Sequence, residues 1–429
     1  MFYPEAIQFL YDLRLFGAKF GLENTFKLAA LAGNPQEQLR FIHVAGTNGK
    51  GSTCAMLESI YRAAGLHVGL FTSPHLVSFR ERIQVNRQMI AEDDVVRLVA
   101  ELQPLLQQFP PDHHPTFFEV VTVMALKFFA EQKCELVIWE TGLGGRLDAT
   151  NVVTPLASVI TNIALDHEQW LGETLAKIAV EKAGIIKPRI PAVTATEEAE
   201  ALAVIERTAR DRNAPFIRVT PDKFAAHFRD GATVRLPGEH QKINAALALA
   251  TVDALQNQIR VSPEAMRSGL ATVNWPGRLQ LIQRPSGQQI LLDGAHNVAG
   301  ARVLGAALAK NFPAPDKTLI LGVFQDKDWR TMCKLLAPLA ARILTVPISS
   351  ERTANAGELA AACRVANPAA EVAACESLGT ALEQAAGDPF VVIAGSLYLV
   401  GEALEWLGQP PAAGERELNE WRTPIDELC

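Results

Sequence analysis

The chain has 429 residues, which is long for one domain and favours two domains of ordinary size. Charged residues make up 20% of it and hydrophobic residues 48%, as is typical of a globular protein with a large core. The net charge of −7 argues against a nucleic-acid-binding protein, since domains that bind the phosphate backbone are usually basic. A local cationic pocket for a small acidic substrate is compatible with this balance.

The cysteines and the N-terminus indicate a reducing compartment. The six cysteines are dispersed and include no C-x-x-C pair, so neither a disulfide framework nor a zinc site of ordinary spacing is indicated. Residues 1–6 lack the basic start and apolar run of a signal peptide. No apolar run approaches the roughly 20 residues that a bilayer requires. We therefore predict a cytoplasmic protein that contacts neither membrane nor nucleic acid.

The first part of the chain alternates between strand and helix patterns. Apolar runs predict buried strands at residues 41–45, 67–71, 136–139 and 157–161. Helical periodicity is present at residues 4–16, 23–33, 91–107 and 117–131 and again from residue 175, and residues 83–86 alternate as an exposed strand does. This alternation predicts a mostly parallel sheet with helices on both faces, whose ligands bind at the carboxyl ends of the strands.

A glycine-rich loop joins the first strand to the next helix. Its sequence is Gly46-Thr-Asn-Gly-Lys-Gly-Ser52. Backbone N–H groups of such a loop and of the first helical turn have no partner within the helix, and the helix dipole favours an anion there. Lys50 would supply a charge for phosphates and Ser52 a hydroxyl for Mg²⁺. The standard P-loop has glycine in place of Val44 and Ser or Thr in place of Gly51. We therefore predict a variant mononucleotide loop, with an ordinary turn as the alternative.

Four polar residues follow predicted strand ends, so one cleft would hold them all. They are Ser52, Ser73, Glu140 and His167. Glu140 suits a Mg²⁺ site because hard cations take oxygen ligands, although a carboxylate there would also cap the following turn. The structural alternatives are a turn hydroxyl for Ser73 before Pro74 and a buried structural imidazole for His167.

The second part of the chain starts a fresh α/β alternation after a break at Trp275-Pro-Gly-Arg278. We place the boundary there, giving domains at residues 1–274 and 275–429. Strands are predicted at residues 289–293, 318–323, 342–346 and 390–394. Asp293 would either cap a turn or reach a ribose or an amine across the cleft. Residues 326–328 are another polar cluster after a strand end, and we interpret them as a loop without an assigned function. The tail from residue 409 is predicted to be peripheral.

Seven motifs occur in one order along the chain. They are Gly46–Ser52, Thr72–His75, Glu140–Asn151, Asp166-His167, Glu181–Ile185, Leu292–Asn297 and Gly395–Tyr398. Together they resemble the folylpolyglutamate synthase/dihydrofolate synthase family, a branch of the Mur ligase superfamily. Lys-Gly-Ser at residues 50–52 is similar to the folate branch, whereas peptidoglycan ligases more often carry Lys-Thr-Thr. The resemblance implies an N-terminal P-loop-type Mur ligase central domain with a mostly parallel sheet, and a C-terminal Rossmann-like α/β domain.

The resemblance also implies roles for individual residues. ATP would contact Asn48, Gly49, Lys50, Gly51, Ser52, Asn244, Arg278 and Asp293. Two Mg²⁺ ions would be held by Ser52, Ser73, Glu140, His167 and Lys182. Substrates would contact Phe117, Phe118, Asp148 and Ser396, and the catalytic residues would be Lys50, Lys182 and His296. Lys182 would be carbamylated, whereas the residues alone read it as a solvated surface partner of Glu181.

The implied reaction is ATP-driven amide formation through an acyl phosphate. The substrates would be ATP, L-glutamate and either dihydropteroate, a folate or both, and the family expectation is a monomer. Three rivals share parts of the pattern: a peptidoglycan precursor ligase, a non-catalytic nucleotide-binding module, and a metal-dependent phosphohydrolase that uses Asp166 and His167.

Overall fold

The computed structural model describes residues 1–17, 21–220, 233–313 and 316–409. Two α/β units follow one another along the chain, each built on its own sheet. The strands of the first sheet are β1 (Phe41–Ala45), β2 (Val68–Phe71), β3 (Ile83–Val85), β4 (Gln88–Met89), β5 (Leu136–Glu140), β6 (Ala157–Ile160), β7 (Ala192–Thr194) and β8 (Phe216–Arg218). The helices are α1 (Tyr3–Asp12), α2 (Glu23–Leu31), α3 (Lys50–Ala63), α4 (Glu92–Leu106), α5 (Phe117–Glu131), α6 (Glu168–Leu171), α7 (Leu175–Ala183), α8 (Ala199–Asp211), α9 (Glu239–Ala254) and α10 (Pro263–Thr272).

The first sheet has the order β4-β3-β2-β5-β1-β6-β7-β8 and is parallel from β2 to β8. Its central strands are apolar on both faces, as strands covered by helices on both sides must be. Phe41 and Trp139 point into a core that includes α4 and α5, whereas Ile42, Val44 and Ile138 point into a core that includes α3, α9 and α10. The predicted parallel sheet with helices on both faces is confirmed.

The second sheet has the order β13-β12-β11-β14-β10-β9, and only its edge strand β9 is antiparallel to its neighbour. Its strands are β9 (Gln280–Gln283), β10 (Gln289–Asp293), β11 (Lys317–Leu321), β12 (Arg342–Thr345), β13 (Glu371–Ala374) and β14 (Phe390–Ala394). The helices are α11 (Val298–Asn311), α12 (Trp329–Leu336), α13 (Ala356–Ala366), α14 (Leu378–Gln384) and α15 (Leu397–Trp406). The predicted division at residue 275 falls between α10 and β9.

The prediction of an exposed strand at residues 83–86 is wrong. Ile83 is fully buried and Gln84 nearly so, because β3 pairs with β2 and Ile83 joins the core that includes α4. The first predicted helix also ends earlier than expected, at Asp12, and continues as a 3₁₀ turn over Leu13–Phe16. From residue 410 the tail lies outside the described residues. Within the described ranges, no helix is both long and apolar enough to cross a membrane.

Candidate active site

A cavity of about 420 Å³ lies where the two units meet. Polar loops line it because the carboxyl ends of parallel strands gather at one edge of a sheet, and both sheets present that edge here. The four strand-end residues predicted to share one cleft all line it: Ser52, Ser73, Glu140 and His167. The second unit contributes Arg278, Asp293, His296 and several residues that the motifs did not single out.

A glycine conformation and three polar side chains fix the loop after β1. Gly49 has a φ of 84°, and a Cβ there would lie 2.6 Å from the Asn244 side-chain oxygen, so only glycine fits. Thr161 donates its hydroxyl proton to the Asn48 carbonyl at 2.6 Å. Lys50 Nζ donates to the carbonyl of Gly46 at 3.1 Å, which keeps its charge over the loop.

The side chain of Trp275 accounts for the glycine at position 51. A Cβ at Gly51 would lie 2.8 Å from the indole nitrogen of Trp275 and 3.1 Å from the adjacent ring carbons. The indole therefore occupies the space that the Ser or Thr of a standard P-loop needs. Trp275 belongs to the linker between the two units. The glycine at position 51, where a standard P-loop has Ser or Thr, is therefore explained by a linker residue that packs against it.

We expect Gly51→Ala to destabilise the protein by about 1–3 kcal/mol, because overpacking a fixed ring forces side chains and backbone to shift. The measurement is the free energy of unfolding in urea. Gly387→Ala is the matched control, since a Cβ at that exposed turn would have no neighbour within 4 Å. Equal stabilities for the two variants would show that Trp275 yields to the added methyl group.

Lys182 is a buried cavity residue. Its side chain is 4% exposed, and Nζ donates to the carbonyl of Gly46 at 2.8 Å, the same carbonyl that Lys50 contacts. Desolvation, then the charge of Lys50, lowers the pKa of Lys182 to about 7. Its neighbour Glu181 instead pairs with Arg146 at 2.8 Å. The surface-pair alternative for Lys182 is wrong because the turn at Gly145 packs directly on α7.

Glu140 ends β5 inside the cavity and is also 4% exposed. The backbone N–H of Ser73 donates to its Oε2 at 3.1 Å. Burial raises the pKa of Glu140 to about 7, against the opposing charges of Lys50 and Arg278. Burial disfavours the charged form of this carboxylate, and a bound cation would offset that cost.

A buried ion pair joins the two units across the cavity. Lys327 Nζ lies 2.6 Å from Asp166 Oδ1, and the two side chains are only 8% and 6% exposed. Asn297 Nδ2 donates to Asp166 Oδ2 at 2.9 Å and to Asn48 Oδ1 at 3.0 Å. Burial alone would raise the pKa of Asp166, but His296 and Lys327 outweigh it and hold that pKa well below its usual range.

Residues 326–328 form the predicted loop, but the sequence did not indicate that Lys327 contacts the first unit. Lys327 follows the end of β11, and the rule that singled out Glu140 and His167 as strand-end residues applies to it equally. Asn297, also missed as a contact, is the N-cap of α11, where its side chain accepts from Gly300 N at 2.8 Å. Asn297 thus connects the second unit to the glycine-rich loop through Asn48, and Lys327 connects it to Asp166.

The predicted histidines flank Asp166. His296 Nε2 lies 3.6 Å from Asp166 Oδ2, and its Nδ1 contacts the carbonyl of Gly294 at 2.8 Å. His167 precedes α6 with a φ of 53°, and its backbone N–H donates to Asp166 Oδ1 at 2.9 Å. Desolvation lowers the pKa of His167 to about 3, so its imidazole is neutral at pH 7 and able to bind a metal ion.

The remaining nucleotide candidates lie around the loop. Asn244 on α9 donates to Gln241 at 3.0 Å, and Gln241 donates to the Ser52 hydroxyl at 3.3 Å. Asp293 accepts from two backbone N–H groups, and burial raises its pKa. Arg278 Nη1 donates to the carbonyl of Gly277 at 3.1 Å, and burial lowers its pKa against the charge of Asp293.

The four substrate candidates divide into two pairs. Phe117 and Phe118 begin α5 and line the cavity as an aromatic wall. Asp148 accepts from Leu143 N at 2.7 Å and thereby shapes the glycine-rich turn, while fully buried Ser396 caps α15. A direct substrate contact by Asp148 or Ser396 stays a prediction.

Comparison with known proteins decides the family. Residues 44–252 match the Mur ligase middle domain, and residues 277–397 match the Mur ligase glutamate ligase domain. The chain is 36% identical over 426 residues to the dihydrofolate synthase/folylpolyglutamate synthase of Bacillus subtilis, covering 93% of this chain and 98% of that protein. The chain belongs to the folylpolyglutamate synthase/dihydrofolate synthase family. The resemblance inferred from seven motifs is confirmed, and the chain is an ATP-dependent ligase.

Solved structures of this family have the same fold. The folylpolyglutamate synthase of Mycobacterium tuberculosis, solved with ADP and AMPPCP, is 33% identical and superimposes with a TM-score of 0.83 over 91% of this chain and 96% of its own. FolC of E. coli, solved with DHPP and ADP, is 30% identical with a TM-score of 0.83 over 95% of this chain and 98% of its own. The predicted two-part α/β architecture is confirmed.

The synthase cavity offers oxygen donors for Mg²⁺ but no complete protein cage. Among the described residues, no three His, Cys, Asp or Glu side chains lie close enough to hold a metal ion. Mg²⁺ in phosphate sites usually keeps several waters and takes only one or two carboxylates. The desolvated Glu140 carboxylate, the neutral His167 imidazole and the hydroxyls of Ser52 and Ser73 fit that kind of site. A carbamate on Lys182 would add a second carboxylate.

Proposed function

We propose that this synthase joins L-glutamate to dihydropteroate, to folates that already carry glutamate, or to both. The supporting observation is that one cavity combines a glycine-rich loop at a helix N-terminus, a buried carboxylate and a buried lysine, and cations from the second unit. The acceptor carboxylate attacks the γ-phosphorus of ATP, and ADP leaves. The glutamate amine then attacks the acyl carbon, and phosphate leaves with the oxygen that had belonged to the carboxylate.

The chain's own residues position and neutralise charge, which is what phosphoryl transfer requires of a protein. Backbone N–H groups of the loop and Lys50 would hold the β- and γ-phosphates, and Arg278 would reach them from the second unit. Ser52, Ser73, Glu140, His167 and carbamylated Lys182 would hold two Mg²⁺ ions. Mg²⁺ would supply charge neutralisation at the transferring phosphoryl group.

The ion pair between Asp166 and Lys327 gives the two units a fixed relation around the reacting groups. Enclosure by both units keeps water from the acyl phosphate, whose hydrolysis would waste ATP. His296, which lies beside Asp166 and belongs to the second unit, would orient the amine. A monomeric state and a cytoplasmic location stay predictions of the sequence.

The test is phosphate release from ATP with Mg²⁺ and L-glutamate, with dihydropteroate or tetrahydrofolate added in turn. Release with both acceptors is expected of a bifunctional synthase, and release with one acceptor assigns a single activity. The proposal would be overturned if the protein is folded and binds ATP, but neither dihydropteroate nor tetrahydrofolate causes phosphate release. A peptidoglycan precursor would then be the next acceptor to test.

A further inference from the structure

Three residues that follow strand ends of the second unit lie together on the wall of the cavity. Phe324 follows β11, Arg352 follows β12, and Tyr398 lies in the first turn of α15 after β14. All three line the cavity. The rings of Phe324 and Tyr398 meet edge to face with centroids 5.0 Å apart, and both residues are buried. No motif assigned a role to Phe324 or Arg352.

Arg352 is held in place by its backbone and by an aromatic ring. Its carbonyl accepts from Gln325 N at 2.8 Å, and its backbone N–H donates to the Ser350 hydroxyl at 3.2 Å. The guanidinium carbon lies 4.4 Å from the centroid of the Phe324 ring, within cation–π distance. The charged group is therefore oriented before any ligand arrives.

The guanidinium retains unused binding capacity. Across the described residues, its side chain has no hydrogen-bond acceptor and no carboxylate partner, and its Nε is buried. The terminal nitrogens of the guanidinium are not buried and Arg352 lines the cavity, so these are the N–H groups that a ligand oxygen can reach. Two other cations of the second unit do have carboxylates nearby. Lys327 contacts Asp166, and Arg278 lies near Asp293 and Glu140.

We propose that Arg352 binds a carboxylate of the incoming L-glutamate, an inference that rests on the proposed function. A guanidinium presents paired N–H groups that match a carboxylate. The phosphate end of the cavity already has Lys50 and Arg278, so a cation on a separate loop suits a separate anion. Phe324 and Tyr398 provide apolar walls for the methylene groups of a small dicarboxylic amino acid.

The test is steady-state kinetics of Arg352→Gln, with L-glutamate, ATP and the pteridine acceptor each varied in turn. We expect KM for L-glutamate to rise roughly 10- to 100-fold, the range expected when a charged hydrogen bond is lost, while KM for ATP and for the acceptor changes less than about threefold. Arg352→Lys keeps the charge without the paired N–H geometry. Its KM for L-glutamate should lie between the values of the wild-type protein and of Arg352→Gln. Arg330→Gln is the matched control, because Arg330 also covers an aromatic ring, that of Trp329 at 4.2 Å, but is exposed.

A second readout separates this inference from the proposed function. Hydroxylamine in place of L-glutamate attacks the acyl phosphate directly and gives a hydroxamate and phosphate, without needing an amino-acid pocket. Wild-type protein that forms no hydroxamate would contradict the proposed function itself. If Arg352→Gln forms hydroxamate at the wild-type rate with an unchanged KM for L-glutamate, the Arg352 assignment is wrong. A rise confined to KM for the acceptor would overturn it as well, and would place the acceptor's carboxylate there.

Discussion

Lys182→Ala is expected to reduce glutamate ligation about a thousandfold or more, the scale seen when one preorganised charge-stabilising group is removed. The amine is buried beside Lys50, and desolvation lowers its pKa to about 7. A neutral amine reacts with carbon dioxide and becomes a carboxylate, which would turn a repelling cation into a metal ligand. The measurement is the turnover number with saturating ATP, acceptor and L-glutamate.

The fold should survive this change. The Gly46 carbonyl that Lys182 contacts also accepts from Lys50, so no buried acceptor is orphaned. Unchanged circular dichroism and an unchanged urea midpoint would establish this. Lys177→Ala, on the same helix but less buried, is the matched control and should keep wild-type turnover. Near wild-type turnover in Lys182→Ala would contradict the carbamate proposal.

The pKa of Lys182 also sets the direction of the pH dependence. Below pH 7 the amine is increasingly protonated and cannot carbamylate, so turnover should fall as pH falls through 7 and recover in part with added bicarbonate. Protonation of Glu140, whose pKa is also about 7, acts in the same direction. Turnover that is flat between pH 6 and 8 would contradict the assignment of both groups.

Glu140→Gln is expected to reduce turnover about 10²- to 10³-fold and to raise the Mg²⁺ concentration needed for half-maximal activity. The amide oxygen of glutamine can still accept from Ser73 N, so the loop after β2 keeps its contact and only the charge is lost. Removing a desolvated carboxylate should not destabilise the fold, because its burial is itself unfavourable. The measurement is turnover as a function of Mg²⁺ concentration.

Glu135→Gln is the matched control, since Glu135 lies just before the same strand but is exposed and contacts His67 N at 2.8 Å. It should leave both turnover and the Mg²⁺ requirement unchanged. An unaltered Mg²⁺ requirement in Glu140→Gln, at any turnover, would remove Glu140 from the proposed metal site.

Local chemistry predicted most of the fold. Fully apolar runs such as residues 136–139 identify central parallel strands without knowledge of their neighbours, and the glycine loop is encoded over seven residues. Edge strands were harder to predict from the sequence. The strands β9 and β13 are short and only half-buried, so their residues show little hydrophobic periodicity. The burial of β3 depends on its pairing with β2 and on the core that surrounds Ile83, which the alternating pattern of Ile83–Asn86 does not show.

The features of the site that the sequence did not predict are mainly contacts between the two units. Lys327 and Asp166 are 161 residues apart, and each alone is an ordinary charged residue in a loop. Their pairing depends on the relation of two sheets, which no local pattern contains. Likewise, the residues alone predicted a surface position for Lys182, and only the resemblance to a family indicated otherwise. Trp275, which accounts for Gly51, lies 224 residues beyond it.

Transfer of labelled oxygen tests the central claim most directly. The acceptor, dihydropteroate or tetrahydrofolate, is prepared with ¹⁸O in its carboxylate and incubated with ATP, Mg²⁺ and L-glutamate. The masses of the product and of the released phosphate are then measured by mass spectrometry. We predict that the acceptor gains one glutamyl residue and that each phosphate released carries one ¹⁸O atom. Phosphate released without label, and an acceptor of unchanged mass, would contradict both the acyl phosphate and the ligase reaction proposed for this cavity.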